Sequence, residues 1–174
     1  MADFSRVPLP PHPQNILFVC TGNSCRSVFA EGILKEMFAK EGLEIHVHSA
    51  GTEAFSGRQG SPRVLRLLND EGIDLSAHRT RKITREIIEE AGIIFVMEKA
   101  HRKAILALAP EREAGIFLLS QFYSRPEILP MGTEIPDPIG MDAFFYENVN
   151  DIIRLCCQSV LNKLKDAMPV GYFC

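Results

Sequence analysis

No stretch of this 174-residue chain approaches the ~20 apolar residues that a membrane-spanning helix needs, and its N-terminus lacks a basic segment followed by an apolar run and a cleavage site. Neither a membrane nor a secretory route is indicated, so a cytoplasmic location is the default expectation. Charge of one sign is also missing. A net charge of −3 leaves no global basic footprint, so nucleic acid is not an expected partner and any bound anion must be held locally. The five cysteines (Cys20, Cys25, Cys156, Cys157, Cys174) are odd in number and include no Cys-x-x-Cys pair, which argues against a disulfide framework and a zinc ribbon. No Gly-Lys-Ser/Thr marks an ATP-binding loop, and no repeat or domain boundary is visible. The length suits one domain, expected over residues 15–174.

Residues 1–14 hold Pro8, Pro10, Pro11 and Pro13, a density that resists helix and central strand and favours a poorly ordered extension, with "PLPPHP" readable as a polyproline ligand. Beyond it, apolar periodicity alternates between two modes. "NILFVC" (Asn15 to Cys20) reads as a strand, and Ala30, Ile33, Leu34, Met37 and Phe38 recur at helical spacing until Gly42. Glu44 to Ala50 reads as a second strand, "SPRVLRLLNDEG" as a helix capped by Ser61, started by Pro62 and stopped at Gly72. A short helix from Thr84 to Glu90, a strand from Gly92 to Met97, a helix from Lys99 to Ala109 and a strand from Gly115 to Ser120 follow. Gln121 to Met141 is proline-rich and aperiodic, and Asp142 to Lys165 is a final helix with Val149, Ile152, Ile153, Cys156, Val160 and Leu164 on one face. Alternating strands and helices imply an α/β fold: a parallel sheet, helices on both faces and ligand sites at the carboxyl ends of strands.

One such end carries "CTGNSCRS". Thr21, Gly22, Asn23, Ser24 and Cys25 lie between Cys20 and Arg26, where a strand ends and a helix begins. Successive backbone N–H groups and the positive helix end suit a phosphate-like dianion there. Gly22 and Asn23 tolerate the backbone conformations that such a loop demands. Arg26 offers a planar fork to two oxygens of the anion. The same positive groups would hold Cys20 as a thiolate nucleophile, with Ser27 donating to its sulfur. A lone cysteine at a strand end is more often a small buried hydrophobe. The spacing of Cys, five residues, Arg and Ser on a strand-to-helix turn is what favours the chemical reading.

These residues resemble the signature Cys-x-Gly-Asn-x-Cys-Arg-Ser of the low-molecular-weight protein tyrosine phosphatase family, and the likeness runs from about Asn15 to Lys165 through "HSAGT", "GIDLSAH", "IIFVM" and "IPDPIG". The resemblance implies a flavodoxin-like three-layer sandwich with a four-stranded parallel sheet in the order 2-1-3-4. It also implies metal-free and cofactor-free, two-step hydrolysis of phosphorylated protein through a phosphocysteine. In that picture Cys20 is the nucleophile, Arg26 the transition-state clamp, Ser27 the partner of the thiolate and Asp137 the general acid. Asn23 is held in a strained conformation by Ser49 and His78. Val28 departs from the pattern, since many relatives carry proline there.

The residues alone leave Asp137 open between an acid and a turn aspartate; the proline-flanked "IPDPIG" stiffens it, and the family places its acid in this Asp-Pro pair. Cys25 is either packing or the partner for a reversible disulfide that shields Cys20. His46 and His48 share a strand face without a third metal ligand nearby and read as surface residues. Arg79, Arg81, Lys82 and Arg85 read as a solvated basic face, and Cys156 and Cys157 as core.

Tyrosine-specific relatives usually place an aromatic residue directly after the Asp-Pro pair, whereas here Ile139 and Gly140 follow. The slot position before the second cysteine is Ser24, aliphatic in those relatives and threonine in the bacterial protein arginine phosphatase branch. Phe55 supplies one wall of the slot, with Tyr146 near the acid loop. Phosphotyrosine is therefore the family-level expectation and phosphoarginine its rival. The motif equally resembles thioredoxin-coupled arsenate reductases, but these need further cysteines after the third strand, and none lies between Cys25 and Cys156. A non-catalytic oxyanion or redox module would more naturally lack Cys20 or Asp137.

Overall fold

The computed structural model describes residues 8–11, 13–124 and 133–167. The expectations for Cys174, Pro126 and Pro130 lie outside these residues, as does His12 within "PLPPHP".

Four short β-favouring runs become the parallel strands β1 (Asn15–Cys20), β2 (His46–Gly51), β3 (Ile93–Val96) and β4 (Ile116–Leu118), ordered β2-β1-β3-β4. This is the flavodoxin-like order. Between them run α1 (Arg26–Lys40), α2 (Pro62–Asp70), α3 (Arg85–Glu90) and α4 (Lys99–Leu108), and α5 (Ala143–Ala167) closes the fold. Strand β1 is central and buried on both faces because its residues alternate between two apolar layers. Ile16, Phe18 and Cys20 face the layer that contains α1 and α5, while Leu17 and Val19 face Ile83, Ile88 and Ile105. Phe95 of β3 stacks on Phe18 at 5.5 Å and meets Phe122 edge-on at 5.3 Å, adding oriented aromatic contacts to the first layer.

Local chemistry explains most boundaries. Pro62 starts α2 after Ser61, though Ser61 makes no side-chain cap bond, and Thr84 caps α3 by accepting from the Ile87 N–H. Gly42 and Gly72, both at positive φ, let the chain turn after α1 and α2. The fourth strand is shorter than its apolar run suggests, because Leu119–Phe122 turn into a 3-10 helix whose side chains still enter the core. Before β1 the expectation of a loose lead-in meets a correction near its end: Pro13 is buried and Leu9 packs against the α1/α5 layer. Cys156 and Cys157 are buried in α5, where burial pushes both thiols well up, as suits inert core residues. Among the described residues no helix is long and apolar enough to cross a membrane.

Candidate active site

Residues 21–25 connect the end of β1 to the first turn of α1, so the loop lies at the carboxyl edge of the sheet. Asn23 has φ of 52°, a left-handed conformation that costs on the order of 1–3 kcal/mol unless its surroundings enforce it. They do so through every polar group of its side chain. Its amide nitrogen donates to Ser27 Oγ at 3.0 Å and Ser49 Oγ at 2.8 Å, its side-chain oxygen accepts the Arg81 N–H at 2.9 Å, and its carbonyl lies 3.2 Å from His78 Nε2.

Cys20 Sγ is buried and lies 3.0 Å from Ser27 Oγ. Ser27 Oγ accepts from Asn23 and keeps its own hydrogen, which it can donate to the sulfur. Helix α1 starts at Arg26 with neither a side-chain cap bond nor an acidic residue in its first turn. Its positive end therefore has no carboxylate from its own first turn to offset it.

Arg26 is 2% exposed, which demands partners for its charge. Nη1 donates to Glu98 Oε1 and, at 2.8 Å, to the Ile135 carbonyl; Nη2 donates to Asp137 Oδ2 at 2.6 Å. Ile135 anchors this loop by burying its side chain and donating its N–H to the Met97 carbonyl just after β3. Asp137 is thereby delivered to the mouth of the site. Its Oδ1 accepts the Ile139 N–H at 3.0 Å, so it is at once a turn aspartate and a partner of the arginine.

The slot residues flank this centre. Ser24 Oγ lies 3.7 Å from Cys25 Sγ, and its carbonyl accepts the Ser61 N–H. Tyr146 donates to Ser61 Oγ at 3.3 Å under the Arg63 guanidinium; burial, with a contact to Cys25, pushes its hydroxyl up. Phe55 is 71% exposed, stacked by Arg58 at 4.7 Å, in a loop that the Thr52 and Glu53 N–H groups tie to the Cys20 and Thr21 carbonyls. Ile139 is 63% exposed. Cys20 and Cys25 are free thiols. Val28 is buried in the core.

Three residues that sequence reasoning did not single out, and a fourth that it read otherwise, belong to this assembly. Glu31 is buried in α1, accepts from Ser49 Oγ and Lys35 Nζ, and lies 3.8 Å from His78 Nδ1, so it fixes two of the groups that hold Asn23. A charge among Ala30, Gly32, Ile33 and Leu34, one turn after Ser27, was the available signal. Glu98 and His101 follow the carboxyl end of β3, where ligand sites are expected in such sheets. Arg81 corrects the solvated-face expectation: besides its bond to Asn23, its Nε donates to the Ser49 carbonyl at 2.8 Å.

Gly51, at the end of β2, shows how closely the loop packs. A Cβ there would fall 2.5 Å from the Thr21 carbonyl oxygen and 2.7 Å from the Asn23 nitrogen. Both are backbone atoms, which cannot swing aside. Gly51→Ala should therefore destabilise the protein by about 2–3 kcal/mol. A denaturant midpoint equal to wild type would contradict this packing argument.

A family model described as "Low molecular weight phosphotyrosine protein phosphatase" matches residues 15–169. The low molecular weight protein-tyrosine-phosphatase Ptp of Acinetobacter johnsonii is 31% identical over 143 residues, covering 82% of this chain and 92% of that protein. A protein-arginine-phosphatase of Geobacillus stearothermophilus is 32% identical over 153 residues, covering 88% and 97%. Among solved structures, the tyrosine phosphatase Wzb from Escherichia coli K30 in complex with sulphate superposes with a TM-score of 0.76 at 26% identity, covering 88% of this chain and 99% of that one.

Proposed function

The chain belongs to the low molecular weight phosphotyrosine protein phosphatase family of cysteine-dependent hydrolases, and from that premise we propose that Cys20, Arg26 and Asp137 hydrolyse phosphotyrosine in protein substrates through a phosphocysteine. The observation that carries the reading is the buried Cys20–Ser27 pair sharing one loop with a buried arginine that touches Asp137.

The loop from Thr21 to Arg26 binds the phosphoryl oxygens with backbone N–H groups and the start of α1; a relative, the tyrosine phosphatase Wzb, has been solved in complex with the phosphate-like anion sulphate. Arg26 exchanges Asp137 on Nη2 for a substrate oxygen, so substrate entry also releases the carboxyl group toward the leaving atom. Cys20 Sγ attacks phosphorus, the S–P bond forms and the P–O bond breaks as Asp137 gives its proton to the departing oxygen. Water then attacks the phosphocysteine, Asp137 takes its proton, and inorganic phosphate leaves as the S–P bond breaks. Asn23, Ser49 and His78 keep the loop in shape, and Glu31 and Arg81 support them. Cys25, five residues after Cys20 in the same loop, is read as a packing residue or as the partner for a reversible protective disulfide. A nucleophilic thiolate needs a reducing compartment, which suits the cytoplasm.

Phosphoarginine is the second reading. Ser24 puts a hydroxyl on the slot, Ile139 and Gly140 give no aromatic wall after Asp137, and a protein-arginine-phosphatase is among the relatives. Comparing kcat/KM on matched phosphotyrosine and phosphoarginine peptides decides between them, a preference of ~100-fold corresponding to ~2.7 kcal/mol. Asp137→Ala, assayed alongside, should lose ~10²–10³-fold on phenolic esters with poor leaving groups and less on activated aryl phosphates. Equal losses on both would remove Asp137 from proton donation.

A further inference from the structure

His101 lies in the first turn of α4 and is 3% exposed. Its Nδ1 accepts the Glu98 backbone N–H at 3.1 Å, and its Nε2 lies 2.9 Å from Thr21 Oγ1. A nitrogen that faces an N–H donor must carry a lone pair. The imidazole hydrogen therefore sits on Nε2 and is donated to the Thr21 hydroxyl oxygen. Backbone geometry thus dictates one neutral tautomer.

The two neighbours it joins matter to the reaction. Thr21 directly follows Cys20 and holds the Glu53 N–H with its carbonyl. Glu98 accepts the His101 N–H with its backbone carbonyl at 3.1 Å, and its carboxylate accepts from Arg26 Nη1. One imidazole thereby ties the residue beside the nucleophile to the anchor of the arginine.

We propose that His101 is a positioning residue that works only as its neutral Nε2–H tautomer, holding Thr21 and Glu98 in register so that Cys20 and Arg26 address the same phosphoryl group. The inference rests on the catalytic reading of those two residues. Protonation would set an Nδ1–H against the Glu98 N–H, two donors with no acceptor, and would release that side of the lock. Burial opposes this protonation and the Arg26 charge adds to the opposition, while Glu98, Asp137 and Glu134 favour it; the balance leaves His101 below its ordinary value of 6.5. The lock is therefore intact at neutral pH and opens on acidification.

Variants separate the two bonds. His101→Gln can present an N–H near the Nε2 position and should stay within a few-fold of wild type. His101→Asn keeps an acceptor for the Glu98 N–H but does not reach Thr21, and His101→Phe removes both bonds. These two should lose ~10–100-fold in kcat/KM, mostly in kcat, because sub-ångström misplacement of reacting groups is costly. The acid limb of the pH profile should contain one ionisation fewer in His101→Gln than in wild type. Thr21→Val should cost as much as His101→Asn, and the double variant little more than either. Imidazole nitrogen shifts in the unmodified protein, which need no variant to fold, should report Nε2–H. An Nδ1–H imidazole, or His101→Asn with unchanged kcat and acid limb, would overturn the proposal. A Cys20→Ser enzyme that still turned over would overturn its premise instead, and is told apart because the tautomer signal does not depend on it.

Discussion

Cys20→Ser should lower turnover of an aryl phosphate by ~10⁴-fold or more while leaving the affinity for inorganic phosphate or vanadate within a few-fold of wild type. A serine hydroxyl at this place is not ionised at neutral pH, and Ser27, the start of α1 and Arg26 can stabilise only an anion that forms. Oxyanion binding, by contrast, uses loop N–H groups and the guanidinium, none of which changes. Binding by calorimetry and turnover by phosphate release read the two effects separately. Acid-quenched wild-type enzyme should carry one added phosphoryl group on the peptide containing Cys20. Undiminished turnover in the variant, or a phosphoryl group on another residue, removes the thiolate from the mechanism.

The β1-loop-α1 unit was legible because each of its signals is local. The run Ile16 to Val19 sets a buried strand, Gly22 and Asn23 permit the turn, and the helical spacing begins at once. The order of the strands followed with the family resemblance. Boundaries were less legible where apolar character continues past the element: Leu119 and Phe122 are as buried as the strand they follow, so hydrophobicity does not mark where the chain leaves the sheet.

The support for the loop was hidden for a different reason. Glu31, Arg81, Glu98 and His101 act through partners far away in sequence, and a single charged residue does not announce a distant hydroxyl or guanidinium. Arg81 contributes a backbone N–H to Asn23, a role no side-chain pattern encodes. Prolines bracket Asp137, but the residues alone left it open between an acid and a turn aspartate, and the family resemblance drew attention to it. The structure adds the physical reason for its placement, the Ile135 anchor that binds both Met97 and Arg26.

Arg26→Lys and Arg26→Ala should both lose ~10³-fold or more in kcat/KM, a size typical of an arginine that stabilises a transferring phosphoryl group. Lysine keeps the charge, but its compact ammonium cannot hold Glu98, the Ile135 carbonyl and a substrate oxygen with one rigid fork. Alanine also strands Glu98, whose carboxylate is 27% exposed and so partly solvated; the expected cost is about 1–2 kcal/mol of stability, less than for a fully buried pair. Adding Glu98→Gln to Arg26→Ala removes the stranded charge and should recover much of that stability. It should recover none of the turnover, because the clamp on the phosphoryl oxygens is still missing. The double variant therefore separates the two jobs of the guanidinium, holding the mouth of the site together and bearing the charge of the reaction. If turnover rose together with the melting temperature, Arg26 would be structural and the phosphoryl oxygens would be held by the loop alone.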